Sequence, residues 1–309
     1  MLADYFRLIR LPNLFTVPSN VLAGYFALVE PVQINTLQLC LLAASSILLY
    51  TSGIVLNDYF DIETDLKERP YRPLPSKRIP KRRAVVIAFV SIITANLLAL
   101  SVSMNSGIIS VLLSAVVIGY DYKFKKTNSG PIAMATARSL NIVLGASPAL
   151  YLALGNQILL MRLVFIILST FAYVFSISIL SKKEVQVDLE RSEQQKKVLH
   201  AKRAAVFISL FTVSGITVSF IFLIFIGIFS NVLIVNLVLF VAIISVVLFN
   251  QIRLRYSSSS VQNSVKYMII AIIVLDSVVV SGTAGLSFGI SVMLFTIPSI
   301  FLSKTLYMT

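Results

Sequence analysis

Residues 36–76 read TLQLCLLAASSILLYTSGIVLNDYFDIETDLKERPYRPLPS, and the change of character inside this stretch decides the fold. From Thr36 to Leu56 there is no charged side chain. That is the length, about 20 residues, that a helix needs to cross the hydrocarbon core of a bilayer. Immediately afterwards come Asn57 and a crowd of acids, Asp58, Asp61, Glu63, Asp65 and Glu68, which are five of the 13 in the chain. A membrane-crossing helix therefore delivers carboxylates to the membrane boundary.

Working outward, apolar stretches of similar length recur along all 309 residues. They are expected at roughly 12–30, 36–56, 84–104, 107–121, 131–154, 158–181, 204–227, 232–250 and 267–286. Hydrophobic residues make up 57% and charged residues 13%, against about one quarter charged in a soluble domain. The expected fold is an all-α polytopic membrane bundle of about nine transmembrane helices, forming one domain over residues 1–309. Leu286 to Leu302 is either a continuation of the ninth helix past Gly282, Gly285 and Gly289 or a short tenth pass; nine spans with a broken or re-entrant end is the favoured reading.

Basic residues gather on one side of this layout. Arg7 and Arg10 precede the first span, eight lie between Lys67 and Arg83, and seven between Lys182 and Arg203, while turns such as Asn105 to Gly107 carry none. By the positive-inside bias these loops, about 57–83 and 182–203, face the cytoplasm. The expected location is thus the cell membrane, multi-pass, with the polar site toward the cytoplasm. The net charge of +13 is spread over loops beside anionic headgroups, which speaks for membrane lipids and against nucleic acid as a partner. The first apolar segment carries Pro12, Asn13, Pro18, Ser19 and Asn20 and is expected to stay in the mature protein. Cys40 is the only cysteine and His200 the only histidine, so disulfides, thiolate metal centres and a histidine-based triad are poor readings.

At about 100° per helical residue, Asp58, Asp61 and Asp65 fall within roughly 60° of one another while Glu63 points away. Three carboxylates on one stripe repel unless cations neutralise them. Hard oxygen ligands of this kind suit Mg²⁺, which commonly bridges carboxylates to substrate phosphates. The plainer alternative is a solvated acidic loop paired with neighbouring Lys and Arg.

Asn57-Asp58-Tyr59-Phe60-Asp61-Ile62-Glu63-Thr64-Asp65 fits N-D-x-x-D-x-x-x-D, and Arg69-Pro70-Tyr71-Arg72-Pro73-Leu74-Pro75-Ser76 fits R-P-x-R-P-L-P-S. Both segments resemble the UbiA superfamily of intramembrane prenyltransferases. That resemblance implies transfer of a prenyl group from an isoprenyl diphosphate to an acceptor, here unidentified, with two Mg²⁺ ions and release of pyrophosphate. The family's second aspartate-rich motif corresponds to Glu184 and Asp188, where glutamate stands in place of the usual aspartate. The resemblance makes Asp58, Asp61, Asp65, Glu184 and Asp188 metal ligands. It assigns Tyr120, Lys123 and Arg138 to the departing diphosphate, and places Asn57, Arg69 and Arg72 in the substrate site.

Arg138 also stands out unaided, since it lies seven residues into an apolar helix beginning near Pro131, where a guanidinium usually faces a polar cavity. Asn13 and Asn141 line the same cavity or serve as interhelical hydrogen-bond residues. Asp276, mid-span, has no assigned role. Two rival classes are a secondary transporter, suggested by intramembrane Arg138 and Asp276, and a non-catalytic lipid-binding member of the same family, suggested by Glu184.

The layout predicts that, in a Cys40→Ser background, single cysteines at Ser76 and Ser192 react with a membrane-impermeant maleimide from the cytoplasmic side and one at Asn156 from the other. Reaction of all three from one side would break the topology.

Overall fold

The structure, a computed structural model, describes residues 2–182, 192–254 and 257–304, and all regular elements among them are helical. Three short pieces open the chain: α1 (Leu2–Leu8), α2 (Leu11–Leu14) and α3 (Thr16–Leu28). Helix α4 (Thr36–Phe60) then continues into α5 (Ile62–Glu68). Next come α6 (Lys81–Val102), α7 (Met104–Tyr122), α8 (Gly130–Ala146), α9 (Leu150–Gly155) and α10 (Gln157–Lys182). The second half comprises α11 (Ser192–Phe225), α12 (Ile234–Arg253), α13 (Ser258–Ala284), α14 (Leu286–Met293) and α15 (Thr296–Leu302).

Eight of these segments are long and apolar enough to cross a membrane: 36–60, 81–102, 104–122, 130–155, 157–182, 199–225, 231–253 and 259–284. The first apolar segment, expected at 12–30, is the broken pair α2–α3 and is not among these eight; Pro18 has no N–H for the Leu14 carbonyl, so the helix breaks at Phe15. Helices start where side chains replace missing backbone partners: Asn35 accepts from the Gln38 N–H at 3.1 Å ahead of α4, and Ser103 from the Ser106 N–H at 3.0 Å ahead of α7.

Large apolar side chains point outward, including Phe211 at 82% and Phe225 at 88% exposure. On a soluble protein such a surface would be a liability; here it is the lipid-facing side of a multi-pass membrane protein. Polar side chains face inward and join helices. Ser45 donates to the Ala95 carbonyl at 2.8 Å, Tyr173 to the Met268 carbonyl at 3.0 Å, and Asn236 to Ser281 at 2.7 Å. With lipid as apolar as leucine, such bonds and close packing hold the helices together.

Helix α13 is the most enclosed and packs on α3, α10, α12 and α14. After it the chain reverses at Gly285, whose φ of +99° is a conformation that favours glycine. Helices α14 and α15 run back along α13, because Gly289 lies against Ser281 and Ser277 while Lys266 donates to the Ser303 carbonyl at 3.1 Å. The segment Leu286 to Leu302 is therefore a return leg broken in two rather than an extension of the ninth helix.

Helices α3 and α8 bring their backbones close together at two glycines. A methyl group at Gly145 would sit 2.1 Å from the Val21 carbonyl oxygen, and one at Gly24 would sit 1.9 Å from that of Ile142. Backbone cannot yield as a side-chain tip does, so Gly145→Ala is expected to cost about 1–3 kcal/mol in unfolding free energy. Gly215→Ala, with nothing within 4 Å, should be neutral or slightly stabilising. Thermal unfolding in detergent compares the two.

Candidate functional site

Helix α4 carries the aspartates to its end and breaks there. Asp61, at φ −95° and ψ 5°, separates it from α5. The backbone bonds still run from the Asp61 N–H to Asn57 and from the Asp65 N–H to Asp61, at 3.1 and 2.8 Å. Asp58 and Asp65 end up 3% and 4% exposed, Asp61 is half-buried, and Glu63 is exposed, as the spacing implies.

The following loop is built to deliver one guanidinium. Pro73 and Pro75 restrict its backbone. Leu74 and Ile79, each 2% exposed, pin it into a small core with Leu8, Val55, Ile62 and Ala84. Ser76 closes the turn on the Arg72 carbonyl at 2.7 Å. Arg72, itself buried, is thereby held between two carboxylates: Nη1 lies 2.8 Å from Asp65 Oδ2 and 3.5 Å from Asp58 Oδ1.

Two further cations complete the arrangement. Arg10 occupies the left-handed region at φ 46°, between α1 and α2, and its Nη2 is 3.0 Å from Asp58 Oδ1. Lys125, in the 3₁₀ turn Phe124–Lys126, puts Nζ 2.5 Å from Asp61 Oδ2 and 3.1 Å from Asn57 Oδ1. Burial pushes the Asp65 carboxyl above its ordinary value while the Arg72 guanidinium pulls it back. Burial alone would lower Arg10, but the Asp58 carboxylate prevails and raises it.

The structure thus brings Asn57, Asp58, Asp61, Asp65 and Arg72 together. Arg69 ends α5, its N–H donating to the Asp65 carbonyl at 2.8 Å. Lys123 does not join them: it is exposed at the end of α7, and the lysine brought to Asp61 is Lys125. The reason is local, because the helix gives way after Lys123 to a tighter 3₁₀ turn that changes which lysine faces α4. Tyr120 lies near the charges of Asp121, Arg10 and Asp61. Glu184 and Asp188 lie outside the described residues. Among the described residues, no three His, Cys, Asp or Glu side chains converge as a ready-made metal cage. The fit to a hard cation rests instead on the donor set, buried carboxylate oxygens at a helix end.

Deeper in the bundle, Arg138 donates to the Thr16 carbonyl at 3.1 Å, to Thr16 Oγ1 at 2.8 Å and to Asn20 Oδ1 at 2.9 Å, with its guanidinium 5.7 Å from the Tyr50 ring centre. Asn20 in turn donates to Asp276, which also accepts from Ser19 at 2.6 Å. Tyr50 shares a hydrogen bond with buried Asn13 and feels the charges of both Arg138 and Arg10, so this network adjoins the aspartate cluster. Asn141 is engaged otherwise: its Oδ1 accepts from Ser46 and its amide donates to the Val17 carbonyl at 3.1 Å. It ties α3, α4 and α8 together, which is the interhelical role.

Four participants escape a reading of the motifs alone. Arg10 and Lys125 look like ordinary loop charges. Tyr50 looks like one more apolar-span residue. Asp121 is 3% exposed and opposite Gly53, with Oδ2 making no hydrogen bond among the described residues; its position at the end of an apolar run was the available signal.

These features define a multi-pass helical membrane protein with a charged site at one end of the bundle. The chain belongs to the UbiA prenyltransferase family, whose sequence profile matches residues 17–273. It is 29% identical to a digeranylgeranylglyceryl phosphate synthase of Methanosphaera stadtmanae over 47% of this chain and 49% of that protein. To one of Ignicoccus hospitalis it is 30% identical over 47% of each. The chain thus spans about half the length of the curated relatives it matches. Among solved structures, a UbiA homologue of Aeropyrum pernix superposes with a TM-score of 0.65 at 14% identity, covering 87% of this chain and 96% of that one. A UbiA homologue of Archaeoglobus fulgidus bound to DMAPP and Mg²⁺ superposes with a TM-score of 0.57 at 14% identity, covering 98% and 100%. At these identities the superpositions establish the shared fold.

The exchange of lysines has a direct test. Lys125→Met strands the Asp61 carboxylate and should lower unfolding free energy by about 1–2 kcal/mol, whereas Lys123→Met should stay within about 0.5 kcal/mol of the parent. Paired thermal or denaturant unfolding curves measure it.

Proposed function

We propose that this protein is an intramembrane prenyltransferase that transfers the prenyl group of an isoprenyl diphosphate to an acceptor, with Mg²⁺ as cofactor and pyrophosphate as leaving group. The observation that carries this is the placing of Asp58, Asp61 and Asp65 against Arg10, Arg72 and Lys125 at one end of an apolar bundle. Oxygen donors for a hard cation and nitrogen donors for phosphate oxygens stand side by side.

In this reading Asp58, Asp61 and Asp65 would hold Mg²⁺, and Glu184 with Asp188, which lie outside the described residues, would hold a second ion. Bound there, Mg²⁺ offsets the negative charge of the diphosphate and makes it a better leaving group. Arg10, Arg72 and Lys125 receive the phosphate oxygens as the C–O bond breaks, and Asn57 orients Lys125. In this reading Tyr120 and Arg138, on α7 and α8, also serve the departing diphosphate. Lipid and the apolar interior keep water from the allylic cation until the acceptor attacks it, and the proton the acceptor loses leaves with the pyrophosphate. The names of the relatives support an acceptor carrying a glyceryl phosphate headgroup. The basic loops support a site that faces the cytoplasm of the cell membrane, on a chain acting as a single unit.

A transporter has no use for this carboxylate and cation pairing beside an R-P-x-R-P-L-P-S loop. The lipid-binding alternative is decided by turnover. Purified protein in lipid should release pyrophosphate from an isoprenyl diphosphate only with Mg²⁺ and an acceptor, with the prenylated lipid detected by mass spectrometry. Asp58→Asn or Asp65→Asn should lower the rate at least about 100-fold, whereas Glu63→Gln, on the exposed face, should stay within about twofold. Absence of Mg²⁺-dependent release would leave only lipid binding.

A further inference from the structure

The three carboxylates do not stand open. Each faces a cation: Arg72 lies between Asp58 and Asp65 at 3.5 and 2.8 Å, Arg10 meets Asp58 at 3.0 Å, and Lys125 meets Asp61 at 2.5 Å. Asp58, Asp61 and Asp65 are matched by Arg72, Arg10 and Lys125, so these six side chains as a unit are close to neutral. A divalent ion approaching it gains little from the overall field and has to displace a guanidinium or ammonium from the oxygens it would bind.

The cations are also poorly placed to leave without a new partner. Arg72 is 7% exposed, on a loop fixed by Leu74 and Ile79, and Arg10 sits in a left-handed backbone position. Freed from its carboxylates, either guanidinium would be an unpaired charge in a largely dry site, which is costly. A diphosphate removes that cost, because its oxygens accept from the same planar donor fork that a carboxylate does.

We propose that Arg72 and Arg10 act as charge placeholders that keep Asp58 and Asp65 closed to a bare divalent cation and make metal and isoprenyl diphosphate bind together, the guanidiniums passing from carboxylate to phosphate oxygens. This rests on the prenyl-transfer reading above and adds to it the order of loading: neither metal nor diphosphate binds tightly alone. Because coupling between two ligands is reciprocal, the factor by which diphosphate tightens the metal equals the factor by which the metal tightens diphosphate.

The test is Mn²⁺ binding, read by electron paramagnetic resonance on purified full-length protein, with and without geranyl S-thiolodiphosphate, an analogue that resists ionisation. The parent protein should bind Mn²⁺ at least about tenfold more tightly with the analogue. Arg72→Gln should bind Mn²⁺ alone about tenfold more tightly than the parent does and lose most of the coupling. Arg72→Lys should keep the parent's weak binding of Mn²⁺ alone, and Glu63→Gln should match the parent in both titrations. Arg10→Gln repeats the comparison at Asp58, so the inference stays open to refutation if an Arg72 variant does not fold. Mn²⁺ affinity in Arg72→Gln or Arg10→Gln that is equal to or weaker than the parent's, without the analogue, would overturn the placeholder role. Asp58→Asn separates the two levels: unchanged Mn²⁺ binding in that variant would remove the metal assignment itself, and with it the inference.

Discussion

A carboxylate at the edge of a hydrocarbon layer has to be neutralised, and much of the described structure around α4 serves that end. Asp58 and Asp65 are nearly inaccessible to solvent, where an unpartnered charge would not be tolerated. The proline-rich loop exists to bring Arg72 between them, and Leu74 and Ile79 exist in turn to hold that loop. The left-handed backbone of Arg10 and the 3₁₀ turn bearing Lys125 supply the remaining charge. Remove the aspartates and these local peculiarities have no reason to coincide.

The same demand recurs inside the bundle and is met differently. Arg138 and Asp276 are too deep for loops to reach, so α3 answers them with Thr16, Ser19 and Asn20 on successive turns. Asn20 is the hinge of this arrangement, since its carbonyl accepts from Arg138 while its amide donates to Asp276. A single neutral side chain thus mediates between the ionisable groups on α8 and α13. In a medium with little water, that is an economical way to keep both ionisable groups satisfied.

Much of this was legible in the sequence. Apolar runs of membrane length marked the spans, because backbone in lipid has few alternatives to the helix. The spacing of Asp58, Asp61, Asp65 and Glu63 foretold which acids turn inward, because α4 stays helical almost to its end. What was not legible depends on departures from regularity or on contacts between distant residues. Lys125 replaces Lys123 because one turn tightens from α to 3₁₀. Arg10 reaches Asp58 through a left-handed residue that no pattern announces. Asp276 finds its partners 256 and 257 positions away, and a reading along the chain has no access to that.

The return leg after Gly285 has a further consequence for how the molecule is made. Ser299, on α15, donates to the Pro12 carbonyl at 2.8 Å, so a side chain made 287 residues later fastens α2. The short α2 that it grips immediately follows Arg10. Until that late hairpin has folded back, the N-terminal arm lacks its clasp. The clasp on the charged mouth of the bundle therefore forms only after α13 and its return leg have been made.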